Sequence, residues 1–297
     1  MNLSRKFIYL DNNIMANLFN KKILDEQIHQ YEIENFQEKF KVIKDWKRNL
    51  KSIKGVNEKG LQGSFLKGIF GNVLDYKDIT EANLEGGYTL KSEPSTEVDA
   101  TNPDGALGVF NTSKNSKDNT IAVIELKSPK ASLDKKQKRS GKDYGTPIEQ
   151  AFRYATKHDG CKWVIVSNMI EIRLYKYERG QGHYQEFLID ELDKKENFYE
   201  FHFLLSKENL INPENSNEGM TLKLSKRTVK HEEDISIKFY NIYKNMRIEL
   251  FEHLKNNNPN YNEEILLEKA QKFLDRIIFI CFCEDRSLLP NDILHRI

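Results

Sequence analysis

Apolar residues recur along the chain with two different periods, which predicts the order of its helices and strands. Spacing near 3.6 residues predicts helices over 22–53, from about 57 to 74, and over 193–205. Alternating or continuous apolar runs predict strands over 88–91, around residue 104, and over 121–127, 162–167, 171–177 and 184–189. Because a helix separates 121–127 from 162–167, the series predicts a mixed sheet with helices on its faces, in the α/β (α+β) class.

The helix between those two strands has a clear start. Thr146 can cap it, Pro147 takes the first helical position, and Glu149 can close a capping box. Asp159 and Gly160 predict its end.

A polar stretch at 211–219 predicts a linker, and two long helical patterns follow at about 232–254 and 263–283. The last pattern is apolar over a wide arc, so we expect more than a two-helix hairpin to bury it. The sequence therefore predicts two domains, 1–210 and 220–297, of which the second is helical.

Composition indicates a cytoplasmic protein. Lys and Arg number 46 against 45 Asp and Glu, so a nucleic-acid surface must come from local clustering of charge. The three cysteines form no CxxC pair, which fits reduced thiols. No signal peptide and no apolar run of about 20 residues is found, so we expect no membrane partner.

The stretch from Asn102 to Lys127 carries the candidate chemistry. In the strand at 121–127, Glu125 and Lys127 share one face because strand side chains alternate with period 2. A polar turn before it predicts a hairpin, with Asp104 on the neighbouring strand. Two carboxylates and a lysine are therefore predicted to meet at one end of the hairpin.

This layout suits metal-assisted hydrolysis of a phosphodiester. Asp104 and Glu125 would hold a hard divalent ion, with the carbonyl of Leu126 as a further oxygen ligand. Lys127 could position or deprotonate the attacking water. The alternative is that Glu125 and Lys127 form a surface ion pair, which contributes little. The strand alone leaves both interpretations open.

A basic run follows the strand. A charge run is often just a solvated loop, but at this place it could also lie along a phosphate backbone. The candidate DNA-binding residues of this run are Lys130, Lys135, Lys136, Lys138 and Arg139.

The pattern Pro103-Asp104 and Glu125-Leu126-Lys127 resembles the PD-(D/E)XK nuclease motif. Together with Thr-Pro-Ile-Glu-Gln-Ala-Phe-Arg-Tyr-Ala at 146–155, Trp-Val-Ile-Val-Ser-Asn at 163–168 and Phe-Cys-Glu-Asp-Arg-Ser-Leu-Leu-Pro at 282–290, it makes most of the chain similar to the N-terminal portion of type IIG restriction-modification enzymes.

That resemblance implies a restriction-endonuclease-like fold followed by a helical connector. It implies a catalytic triad of Asp104, Glu125 and Lys127 and Mg²⁺ as the cofactor, with Mn²⁺ expected to substitute. Glu58 matches an acidic helix residue that approaches the metal in such nucleases. Gln150, with Tyr154 on the same helix face, matches a glutamine that touches the active site or the DNA backbone.

The implied function is a magnesium-dependent endodeoxyribonuclease of bacterial restriction-modification and phage defence, acting on double-stranded DNA. The family joins this domain to a methyltransferase and a target-recognition domain. Neither the glycine-rich turn for S-adenosylmethionine nor the Asn/Asp-Pro-Pro-aromatic motif occurs here. S-adenosylmethionine is therefore expected only if a missing methyltransferase domain exists, in cis or in trans.

Two alternatives remain at this point. One is a nuclease-fold module that docks DNA or a protein without cleaving. The other is a nuclease of the same fold that acts on RNA or on repair intermediates.

Overall fold

The computed structural model describes residues 17–82, 87–94, 102–111, 118–139, 142–143, 145–214, 219–285 and 288–290. The helices are α1 (Lys21–Ile28), α2 (Phe36–Arg48), α3 (Leu50–Ile53), α4 (Glu58–Phe65), α5 (Pro147–Ala155), α6 (Lys195–Leu205), α7 (Lys207–Leu210), α8 (Met220–Asn257) and α9 (Glu263–Asp285). The strands are β1 (Tyr88–Ser92), β2 (Gly105–Phe110), β3 (Asn119–Leu126), β4 (Lys138–Arg139), β5 (Lys142–Asp143), β6 (Trp163–Ser167), β7 (Glu171–Lys176) and β8 (Tyr184–Leu188).

Six of these strands form one mixed sheet in the order β1-β2-β3-β6-β7-β8. Neighbouring strands are antiparallel except β3 and β6, which are parallel and are connected through α5. Strands β4 and β5 form a separate two-stranded ribbon. The sheet, its flanking helices and the C-terminal helices confirm the predicted fold class.

The sheet has a different partner on each face. Alternate residues of β3, namely Ala122, Ile124 and Leu126, pack in the larger core cluster with α1, α2, α4 and α6. Val123, on the opposite face, packs in a smaller cluster with Ile148 and other residues of α5. Strand β3 is therefore covered on both faces, as its continuous apolar run predicted.

The N-terminal helices are shorter than predicted. The pattern over 22–53 folds as three helices, and Asn35 has φ of 53° immediately before α2. A left-handed residue cannot continue a right-handed helix, so the chain breaks there. Helix α4 continues directly into a π-helix at Leu66–Val73, which covers the predicted helix from 57 to 74.

Contacts divide the chain into two compact units, Met1–Thr228 and Val229–Ile297, with the division inside α8. Helix α8 begins at Met220, earlier than the predicted start near 232, because Leu222 and Leu224 are buried in the larger core cluster. The domain ranges 1–210 and 220–297 stay a prediction.

The second unit contains the rest of α8 and all of α9. Tyr243 Oη donates a hydrogen bond to Asp275 at 2.8 Å and joins the two helices. Several apolar side chains of this hairpin, such as Ile242 and Phe279, remain more than half exposed. Among the described residues, no helix has the combined length and hydrophobicity needed to cross a bilayer.

Candidate active site

Strand β3 ends in a buried ion pair. Glu125 is 1% exposed and Lys127 is 4% exposed. The N–H of Lys127 donates to the carbonyl of Ser167 on β6 at 2.8 Å, so strand pairing continues one residue beyond Leu126. This extension keeps Glu125 and Lys127 on the same face, where the lysine ammonium contacts Glu125 Oε1. The ion pair is therefore not at the surface.

Asp104 lies beside this pair. The β2–β3 register pairs Gly105 with Ile124, which brings the preceding residue, Asp104, to the same end of the hairpin as Glu125. Asp104 Oδ2 accepts a hydrogen bond from the N–H of Leu126 at 2.7 Å. The structure thus brings the three residues of the predicted triad to one place.

Helix α4 contributes a third carboxylate. Its start is fixed by Asn57, whose side chain accepts from the N–H of Gly60 at 2.8 Å. Glu58, the first helical residue, accepts a hydrogen bond through Oε2 from the N–H of Ser128 at 2.9 Å. Glu58 therefore reaches the segment immediately after Lys127, at the same strand end as Asp104.

Burial and mutual repulsion perturb these acids. Burial, together with the charge of Asp104, raises the pKa of Glu125 to about 8, although Lys127 opposes the shift. Burial also raises the pKa of Asp104, against the opposing effects of the Leu126 N–H and of Lys127, while Glu58 adds to the increase. Because the charged forms of Asp104 and Glu125 are both disfavoured in this way, a divalent cation bound between them would stabilise their ionised forms.

At least one oxygen of each carboxylate already has a partner: Lys127 for Glu125, the Leu126 N–H for Asp104 and the Ser128 N–H for Glu58. In this conformation, no group of three or more His, Cys, Asp or Glu residues within the described ranges is arranged to hold a metal ion. The donor chemistry nevertheless fits a hard cation such as Mg²⁺, which prefers one or two carboxylates plus other oxygens. Glu125 must release Lys127 for both of its oxygens to be available. The Leu126 carbonyl stays a predicted ligand.

Helix α5 has the predicted start. Thr146 Oγ1 accepts from the N–H of Glu149 at 3.1 Å, and Glu149 Oε2 accepts from the N–H of Thr146 at 2.7 Å. Gln150 Nε2 donates to the hydroxyl of Tyr154 at 3.0 Å, so the two share a face as expected. Within the described residues, no hydrogen bond joins either of them to the carboxylates. Their roles in catalysis and DNA binding stay predictions.

The basic run forms an anchored loop at 128–137. Lys130, Lys135 and Lys136 are exposed on it. The backbones of Lys138 and Arg139 form β4, but their side chains lie outside what the structure describes.

Three contacts hold this loop in place. Leu133 is buried in the smaller core cluster, and Asn168 Nδ2 donates to the carbonyl of Ala131 at 3.0 Å. Asp134 accepts two hydrogen bonds from the guanidinium of Arg173 at 2.6 and 3.0 Å. Such a bidentate pair fixes geometry as well as adding energy, so the loop has a defined position next to the site.

Sequence reasoning missed Gln62, which lies one helical turn after Glu58. Its Nε2 is 3.3 Å from the carbonyl oxygen of Asp104 and 3.4 Å from Asp104 Oδ1. The i,i+4 spacing from Glu58 was the available signal, because residues four apart share a helix face.

Comparison with known proteins identifies the family of the chain. The family model for the MmeI N-terminal domain matches residues 37–229, about two thirds of the chain. Among solved structures, the cryo-EM structure of a DrdV–DNA complex matches with 14% sequence identity and a TM-score of 0.33, covering 56% of this chain and 99% of that chain. No curated protein sequence gave a match. The chain therefore belongs to the MmeI N-terminal domain family, the N-terminal region of type IIG restriction enzymes.

Proposed function

We propose that this restriction-modification nuclease-type domain is a metal-dependent DNA endonuclease that hydrolyses phosphodiester bonds. The observation that carries the proposal is the buried Glu125–Lys127 pair beside Asp104 at the end of one hairpin. Methyltransferase and target-recognition domains, in cis or in trans, are part of the proposal as partners.

The residues have separate roles. Asp104 and Glu125 would hold Mg²⁺ or Mn²⁺, and the carbonyl of Leu126 would be a further ligand. When bound, the ion would lower the pKa of a water molecule and would supply positive charge at the phosphate. Lys127, whose ammonium lies at the same strand end, would orient the attacking water, and it could take the proton of that water only after losing one of its own. Glu58 holds the backbone after Lys127 through Ser128.

DNA contact is assigned to the anchored loop. Lys130, Lys135 and Lys136 are exposed on it, and the loop begins directly after Lys127. Contacts from lysine to phosphate give affinity and orientation without reading sequence. We therefore propose that the loop holds the backbone of the duplex near the scissile bond.

A plasmid-nicking assay in Mg²⁺, Mn²⁺ or EDTA tests the proposal. We expect cleavage with either ion and none in EDTA, and we expect Asp104→Ala and Lys127→Ala each to abolish cleavage with the circular dichroism spectrum unchanged. Asp118→Ala is the matched control, because Asp118 pairs with Lys91 at the other end of the same hairpin. If the parent cuts no DNA, and Glu125→Ala binds Mn²⁺ as well as the parent does, a docking module without cleavage becomes the better explanation.

A further inference from the structure

Gln62 contacts a predicted metal ligand without being charged itself. It is half-buried on α4, and its amide nitrogen lies near both the carbonyl and Oδ1 of Asp104. Because Glu58 lies four residues earlier, α4 directs two polar side chains towards the β2–β3 hairpin.

These contacts bring donors to both oxygens of the Asp104 carboxylate. Oδ2 accepts from the N–H of Leu126, and Oδ1 faces the amide of Gln62. The carbonyl of Asp104 also accepts from the N–H of Glu93 at 3.1 Å, which fixes the backbone. A carboxylate with hydrogen-bond donors on both oxygens is held in one orientation, so less reorganisation is needed when it binds an ion.

The neutral amide suits this position. A lysine at residue 62 would compete with a cation for Asp104, and a glutamate would add a fourth negative charge beside Glu58 and Glu125. An amide donates a hydrogen bond to the ionised carboxylate without changing the charge of the site.

We propose that Gln62 is a positioning residue that orients Asp104 for a divalent cation; the inference rests on the proposed function. Residues that orient metal ligands typically change metal affinity 10–100-fold when replaced. The contacts of Gln62, at 3.3 and 3.4 Å, are longer than the usual range of hydrogen bonds. The expected effect is therefore about 10-fold, at the low end of that range.

The test is a titration of the full chain with Mn²⁺, in which free Mn²⁺ is measured by electron paramagnetic resonance. Gln62→Met keeps the length of the side chain and removes the donor, and Gln62→Ala is the second variant. We expect both to bind Mn²⁺ about 10-fold more weakly, with the melting temperature in EDTA unchanged. Gln27→Met, a half-buried glutamine on α1, is the matched control and should bind like the parent.

The outcomes separate this inference from the proposed function. If the parent and Asp104→Ala bind Mn²⁺ equally, the proposed function is wrong, and the proposed role of Gln62 is wrong as well. If Asp104→Ala loses binding but both Gln62 variants bind like the parent, only the role of Gln62 is overturned. Lower melting temperatures in EDTA with unchanged Mn²⁺ affinity would show that Gln62 merely packs α4 against the hairpin.

Discussion

DNA contact by the anchored loop at 128–137 can be tested quantitatively, through the salt dependence of DNA affinity. Lys130, Lys135 and Lys136 are exposed on it. If each contacts one phosphate, each contributes about 0.9 to the slope of log affinity against log salt concentration, or about 2.7 together. Between about 50 and 200 mM salt, the parent should therefore lose roughly 40-fold more affinity than a variant with all three lysines replaced by alanine.

Fluorescence anisotropy with a labelled duplex in EDTA measures this slope without cleavage. The matched control replaces Lys22, Lys41 and Lys194 by alanine; these are exposed lysines on or next to α1, α2 and α6, whose apolar residues pack in the larger core cluster. Both triple variants lower the formal net charge from +1 to −2. They therefore differ in where charge is removed, not in how much.

If the loop variant keeps the slope of the parent, the loop lysines contact no phosphate and the prediction is wrong. The prediction is also wrong if the control variant loses as much slope as the loop variant, because the effect would then follow net charge rather than the position of the lysines.

Asp134, Glu125 and His202 each have contacts or burial that can be tested by a single substitution. Asp134→Ala removes the bidentate partner of Arg173, which anchors the loop. In the same anisotropy titration, DNA affinity should therefore fall a few-fold while the salt slope is retained. A reduced slope would mean that the loop had lost its phosphate contacts. Mn²⁺ at about 100 times its dissociation constant should stabilise the parent by about 2.7 kcal/mol in thermal melting. The Glu125→Gln variant should be stabilised little by the same Mn²⁺ concentration. Equal stabilisation of the two proteins would exclude Glu125 as a ligand. Burial, with the nearby charge of Lys39, lowers the pKa of His202 to about 3 from 6.5. Because the unfolded chain then takes up the proton first, this histidine should cost about 2 kcal/mol of stability between pH 7 and pH 5. Urea unfolding of the parent against His202→Gln isolates that difference, and identical pH dependences would contradict it.

Local sequence patterns predicted the parts of this molecule that local physics determines. The capping box of α5 needs only Thr146 and Glu149 three residues apart, and both of its hydrogen bonds form. Likewise, the alternation along β3 placed Glu125 and Lys127 on one face. Each of these features depends on neighbours in the chain, so its residues were visible in the sequence.

Features that depend on distant contacts were missed or misplaced. Helix α8 starts early because Leu222 and Leu224 meet the larger core cluster, which the polar stretch before it does not reveal. Gln62 contacts Asp104 across 42 residues of chain, and its i,i+4 spacing from Glu58 indicates only a shared helix face, not the strand end that this face meets. Arg173 anchors the loop through Asp134, 39 residues earlier in the chain. The sequence of its strand showed only an alternation of apolar and polar residues, which does not predict this contact.

The question that the sequence left open was whether Glu125 and Lys127 form a surface pair or a site, and burial bears on it. A surface pair contributes little to stability, whereas a buried ionisable group costs several kcal/mol when it is charged. A folded pKa of about 8 against an ordinary value of 4.5 means that Glu125 stabilises the fold fully only below pH 4.5. This stability is lost as the pH rises towards 8, with a loss of about 3 kcal/mol by pH 7. The opposite face of the same strand is filled by Ala122, Ile124 and Leu126 at no such cost. A sheet that served only as a scaffold would gain stability from apolar residues on both faces, so the buried acid and amine favour the proposed catalytic role over a purely structural one.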